Sequence, residues 1–208
     1  MERKSIDHKK LKRKPSGAAI IRPELTTTLF RALFEEWAET GYTRISLEHV
    51  AARAGAGKAA IYRRWPSKLE FAFDAIRNVE VMWAGFSEQE TFQEDIRSYL
   101  RATIRVLRHP LARRVIADMV AERLRSSELS PLLDRIVSVR RQFGHQMLDR
   151  AIARNELDAD LDRELALDYL VGPLYMSMIN RGVSTTLADL EKHVVVIEAG
   201  IKACFNGR

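Results

Sequence analysis

Ser46-Leu47-Glu48-His49-Val50-Ala51-Ala52-Arg53-Ala54-Gly55-Ala56-Gly57-Lys58-Ala59-Ala60-Ile61-Tyr62-Arg63-Arg64 is the stretch that decides how the chain folds. Ser46 is an N-cap type of residue ahead of a short helix over 47–53. Gly55-Ala56-Gly57 breaks the chain, and a second short helix follows over about 58–64. Ala51, Gly55 and Ile61 stand four and six residues apart, the spacing of two short helices crossing at a steep angle. Ala51 is small where the helices touch, and Gly55 supplies the left-handed turn. Ile61 fills the wedge between them, with Leu47 and Val50 behind. The second helix then presents Lys58, Ala59, Tyr62, Arg63 and Arg64 outward. Lysine and arginine donate to guanine edges or phosphates, and a tyrosine hydroxyl serves either.

Working outward, every periodic segment reads as helix and none alternates as a strand does. Pro23 suits a helix start, and Leu25, Leu29, Leu33 and Trp37 recur every four residues until Gly41. Ser67 with Glu70 is a capping box opening a helix to about Ala84, and Thr91 with Glu94 opens another that ends near Arg108. His109-Pro110 and Ser130-Pro131 start helices over about 110–125 and 131–154. The last two helices cover about 162–182 and 186–205. The expectation is an all-α chain of about nine helices. It divides into a flexible basic arm (1–20), a helix-turn-helix domain (21–66) and a larger helical domain (67–208).

The chain has 208 residues, 46% hydrophobic and 30% charged, an ordinary globular balance. Its single cysteine, Cys204, excludes an internal disulfide and a multi-thiolate metal site. Neither an apolar leader nor a run of about 20 apolar residues is present, so a soluble, cytoplasmic protein without membrane attachment is expected. Charge is unevenly placed. Residues 1–22 hold eight basic residues against Glu2 and Asp7, so this segment carries the whole formal charge of +6. A cationic front end points to a polyanionic partner. The arm lacks the apolar face of a membrane-binding segment, since Ile6 and Leu11 are its only large hydrophobes before Ile20.

The residues Leu29-Phe30-Arg31-Ala32, Gly41-Tyr42-Thr43, Ser46 to Ala51, Ala54 to Lys58 and Ile61 to Lys68 together resemble the TetR family of transcriptional repressors. The resemblance covers about residues 25–75, and Asp168 to Tyr175 is similar to one C-terminal subgroup. It implies a dimer of all-helical subunits that binds double-stranded DNA through the first three helices. Helices four to seven would enclose a small-molecule effector pocket, and the last two would form a four-helix dimer bundle. Ser46 matches the residue that caps helix two and touches phosphate. Lys58 and Ala59 match the base-reading start of the recognition helix, and Tyr62 its backbone-contacting tyrosine. Arg63 matches a base- or phosphate-contacting position and Arg64 a backbone-contacting one. Lys68 matches a phosphate-binding lysine at the start of helix four. Ala56 departs from the commoner valine.

Further along, Trp83, Phe86, Met119, Phe143, Met147 and Tyr175 suit an adaptable lipophilic pocket, although the same spacing serves a plain core. Arg123, Arg140 and Arg141 face either an anionic effector or solvent. Leu187, Leu190, Val194, Ile197, Ile201 and Cys204 form a seam, and Leu167, Leu170, Leu174 and Met178 a matching stripe. Val194-Val195-Val196-Ile197 covers every face of one turn, so this helix is buried on more than one side. Either a second copy of the chain or deep burial in one protomer does that, and the terminal position favours the second copy. Leu170, Leu174, Met178, Leu190, Val194, Ile197 and Ile201 are therefore the expected dimer interface. Asp158, Asp160 and Asp162 read as a polar turn and helix cap, because Arg163 stands where a calcium loop needs glycine. The five histidines are scattered. No catalytic residues, metal or cofactor are expected, and an enzyme has no support in the sequence.

Overall fold

The computed structural model describes residues 23–80, 89–125 and 128–204. The basic arm, together with Trp83 and Phe86, lies outside the described residues. Those described form nine α-helices and no strand. They are α1 (Pro23–Thr40), α2 (Leu47–Arg53), α3 (Lys58–Tyr62), α4 (Lys68–Glu80), α5 (Phe92–Leu107), α6 (Pro110–Arg125), α7 (Ser130–Ala153), α8 (Arg163–Leu174) and α9 (Leu187–Lys202). A 3-10 turn, Tyr42–Arg44, follows α1, and a π-helical segment, Tyr175–Asn180, continues α8.

Local signals set most boundaries. The hydroxyls of Ser46, Ser67, Thr91 and Thr186 accept from the backbone N–H three residues ahead, at 3.1–3.3 Å. Asp162 caps α8 by accepting from Leu165 N at 3.0 Å, so the Asp158–Asp162 segment is a capping turn. α8 does not run unbroken to residue 182 as expected. Pro173 lacks the N–H of its turn; beyond it Arg181 N reaches Met176 O and Ser177 Oγ donates to Pro173 O.

Two apolar cores result. The first joins α1–α4 to Val115 and Met119 of α6 and to Leu129, Leu132 and Leu133 around the start of α7. The second joins α5, the later part of α7, α8 and α9. The head core thus runs past residue 66 into α4, where Phe71, Ala72 and Ala75 are fully buried.

This partition corrects one expectation. Leu170, Leu174, Met178, Leu190, Val194, Ile197 and Ile201 all belong to the second core and are at most 2% exposed. The seam is filled by α5 and α8 of the same protomer, so these residues are no dimer surface. Spacing marks a stripe without saying whose atoms cover it. Among the described residues, the large apolar side chains left exposed on these helices are Leu165, Tyr169, Met176, Val195 and Val196. Met119 packs in the head core with α4 and the start of α7.

Candidate nucleic-acid interface

The head is built so that α3 is buried on one side and bare on the other. Ile61 packs inward with Leu47, Val50 and Ala51 of α2, and Ala60 beside it is buried. Gly55 turns the chain at φ 63°, a conformation that favours glycine. Lys58, Ala59, Tyr62 and Arg63 are exposed. Tyr62, 46% exposed, is therefore a surface tyrosine. Behind α3, Trp65 stacks on Phe71 with ring centroids 4.2 Å apart and donates from Nε1 to Asp74 at 2.9 Å. That contact closes the recognition helix and sets the start of α4.

α2 is fixed to α1 by a buried carboxylate that sequence reasoning missed. Glu36, 2% exposed, accepts from Ser46 N at 3.4 Å and lies 3.3 Å from His49 Nδ1 and 3.4 Å from Arg53 Nη2. Arg53 also grips Glu39, and that hydrogen bond holds the Glu39 carboxyl below its usual range. Ser46 sits at the α2 N-terminus as expected, its hydroxyl already engaged by His49 N.

The other expected contacts are arranged less simply. Lys58 is paired with Glu48 of α2 and lies 5.5 Å from the Tyr62 ring centroid. The hydrogen bond from Lys58 pulls the Glu48 carboxyl below its ordinary range and raises the ammonium in turn. Arg64 does not point out with its neighbours. It folds back so that Nη1 donates to Ala60 O at 2.8 Å, capping α3. Lys68 lies against the 3-10 turn, donating to Tyr42 O at 3.1 Å with its ammonium 4.2 Å from that ring.

Tyr42 links this surface to the body. Its backbone N–H donates to Asp118 of α6 at 2.9 Å, and Trp37 Nε1 donates to the same oxygen at 2.7 Å. Its hydroxyl donates to Glu128 at 3.0 Å. Burial, aided by that carboxylate, pushes the phenol far above its ordinary range, so it stays a neutral donor. Both Asp118 and Glu128 reach across more than 75 residues of sequence, and no local pattern announces them.

In the body, Phe143 and Met147 line a cavity of about 60 Å³ with Asp95, Tyr99 and Arg150, and Tyr99 also borders one of about 20 Å³ beside Arg140. Both are well below the roughly 300 Å³ at which small-molecule sites begin. Asp95 is buried between Arg150 and Arg154, each donating at 3.1 Å. Tyr175 accepts from Arg140 at 3.3 Å. Burial raises the Tyr99 phenol to about 12. Arg123 and Arg141 are paired with Asp134 and with Glu164 and Asp168. Among the described residues no group of histidine, cysteine and carboxylate side chains is placed to hold a metal. No helix among them is long and apolar enough to cross a membrane.

Two family models match the chain. "Bacterial regulatory proteins, tetR family" covers residues 29–75, and "Tetracyclin repressor-like, C-terminal domain" covers residues 87–196. The chain belongs to the TetR family. A curated relative, the DNA-binding transcriptional repressor TetR of Mycobacteroides abscessus, is 30% identical over 167 residues, spanning 72% of this chain and 85% of the relative. Salmonella enterica GusR has the same fold, with a TM-score of 0.71 at 18% identity, over 88% of this chain and 99% of that one. So does FadR from Bacillus subtilis, solved in complex with stearoyl-CoA, with a TM-score of 0.66 at 18% identity, over 86% and 99% of the two chains. As a TetR-family member, this chain is a DNA-binding transcriptional regulator whose helix-turn-helix is the α2–α3 pair.

Proposed function

We propose that the protein is a homodimeric repressor that binds a palindromic operator in the cytoplasm and is released by a small-molecule effector. The observation that carries the reading is the two-sided build of α3. Ile61 is locked into the head core and Ala60 is buried, while Lys58, Ala59, Tyr62 and Arg63 are exposed on one surface, Lys58 paired with Glu48. In this reading Lys58 and Ala59 face base edges, Tyr62 and Arg63 the backbone, and Ser46 and Lys68 flanking phosphates. Arg64 acts from behind by holding the end of α3.

A single α3 covers only half of a palindromic site, so a partner is needed about 34–36 Å away. The apolar face of Leu165, Tyr169, Met176, Val195 and Val196 is the natural seam for a second copy. Effector binding belongs between α5, α7 and α8, around Phe143, Met147 and Tyr175. The cavities there are small, so in this reading the effector favours a more open conformer of the body. The relative named a repressor and the FadR structure with stearoyl-CoA both favour this reading. No cofactor enters it.

The decisive experiment is selection of bound duplexes from a random-sequence pool with the full chain. An inverted repeat with half-site centres one helical turn apart is expected. Absence of any enriched sequence would overturn the reading.

A further inference from the structure

Glu48 is out of place on a DNA-reading surface. It stands in the first turn of α2, 59% exposed at the side chain, and pairs with Lys58 in the first turn of α3. Ser46 Oγ donates to its second oxygen at 3.3 Å. An exposed ion pair of this kind adds little to folding. A carboxylate here repels phosphate and occupies the ammonium that would otherwise bind it. Its cost to general DNA affinity is plain, so its use lies in discrimination.

The pair sets a donor and an acceptor side by side across two helices. In the major groove a G·C pair offers the complement, since guanine N7 and O6 accept and cytosine N4 donates. Lysine takes the two guanine acceptors, and a carboxylate is the side chain that accepts from cytosine N4. Tyr62, with its ring beside Lys58, limits the directions the ammonium takes once it leaves Glu48.

We propose that Lys58 and Glu48 read one G·C base pair in each half-site as a unit, and that Glu48 is the specificity-determining residue that holds Lys58 off the phosphates of other DNA. The proposal rests on the assignment of α3 to the DNA surface made above. On the cognate pair both charges exchange one partner for another. On any other pair the donor and the acceptors stand at other positions across the groove, so both charges are not satisfied together and Lys58 stays with Glu48.

The test uses the full chain, wild type and Glu48→Gln, in parallel selections from a random-sequence duplex pool. Each is also titrated with one scrambled duplex over a range of salt concentrations. Wild type is expected to fix G·C at one position of each half-site, and Glu48→Gln to lose that preference while keeping the others. Glu48→Gln should bind the scrambled duplex about fivefold more tightly. Its log–log salt slope should steepen by about 0.9, because Lys58 is freed for a phosphate. Lys58→Gln should lose preference at the same position, which a merely structural role for Glu48 does not require. A Glu48→Gln consensus identical to that of wild type, or scrambled-duplex affinity that does not rise, overturns the proposal and leaves the repressor reading standing. A wild-type pool that enriches nothing overturns both.

Discussion

Asp118 shows how much one side chain sets in this molecule. A single carboxylate oxygen of the body accepts from the Trp37 indole and from the Tyr42 backbone, both donors in residues 1% exposed. Asp118→Ala strands two buried donors, at a cost of about 1–3 kcal/mol. Thermal melts should read this as a lower Tm, with the indole emission of Trp37 shifted. A melt superimposable on wild type would show that water replaces the carboxylate without loss. The helix-turn-helix itself was legible in sequence because its constraints are local. Ala51, Gly55 and Ile61 must stand at fixed offsets, and Ser46 must precede α2. Asp118, Glu128 and Glu36 were not legible, because each meets its partner by folding rather than by spacing. The turn of Arg64 back onto Ala60 O is hidden for a related reason. Nothing in Arg63-Arg64 tells which of two adjacent guanidinium groups turns back onto its own helix.

At the scale of elements, α7 and α8 approach closely where Gly144 meets Leu167. A Cβ built at Gly144 would lie 2.3 Å from Leu167 Cδ2, inside the second core. Gly144→Ala therefore sets a helix-propensity gain of about 1 kcal/mol against overpacking of about 1–3 kcal/mol. A net loss of about 1 kcal/mol is expected, lowering Tm by about 2–4 °C. A rise in Tm would mean that Leu167 rotates aside freely. Helix starts were readable from Ser67, Thr91 and the prolines at 110 and 131, since capping is chemistry within one turn. The π-helical segment after α8 was not, because one extra residue per turn leaves no period in the sequence. The seam on α9 was found but turned the wrong way. Its residues, Leu190, Val194, Ile197 and Ile201, close the protomer's own core.

For the whole molecule, the proposed pairing of subunits rests on the exposed face of α8 and α9. Val195 and Val196 are 59% and 65% exposed, and Tyr169 lies against Gly200 beside them. Val195→Asp with Val196→Asp places two charges in the proposed seam without touching either core. Sedimentation should then show single chains where wild type sediments as pairs. Affinity for an inverted-repeat duplex should fall about 100-fold, while that for an isolated half-site holds. Sedimentation of the variant as a pair would move the interface elsewhere.

The division of the two cores bears on how such proteins diversify. Phe71, Ala72 and Ala75 of α4, together with Val115 and Met119 of α6, complete the packing begun by α1–α3. A graft that exchanges reading heads at residue 66 would cut through one apolar interior and part Phe30 and Trp65 from the Phe71 ring they pack on. New promoter preferences on this scaffold are therefore more cheaply acquired by repainting a few outward residues of α2 and α3 than by recombining whole segments.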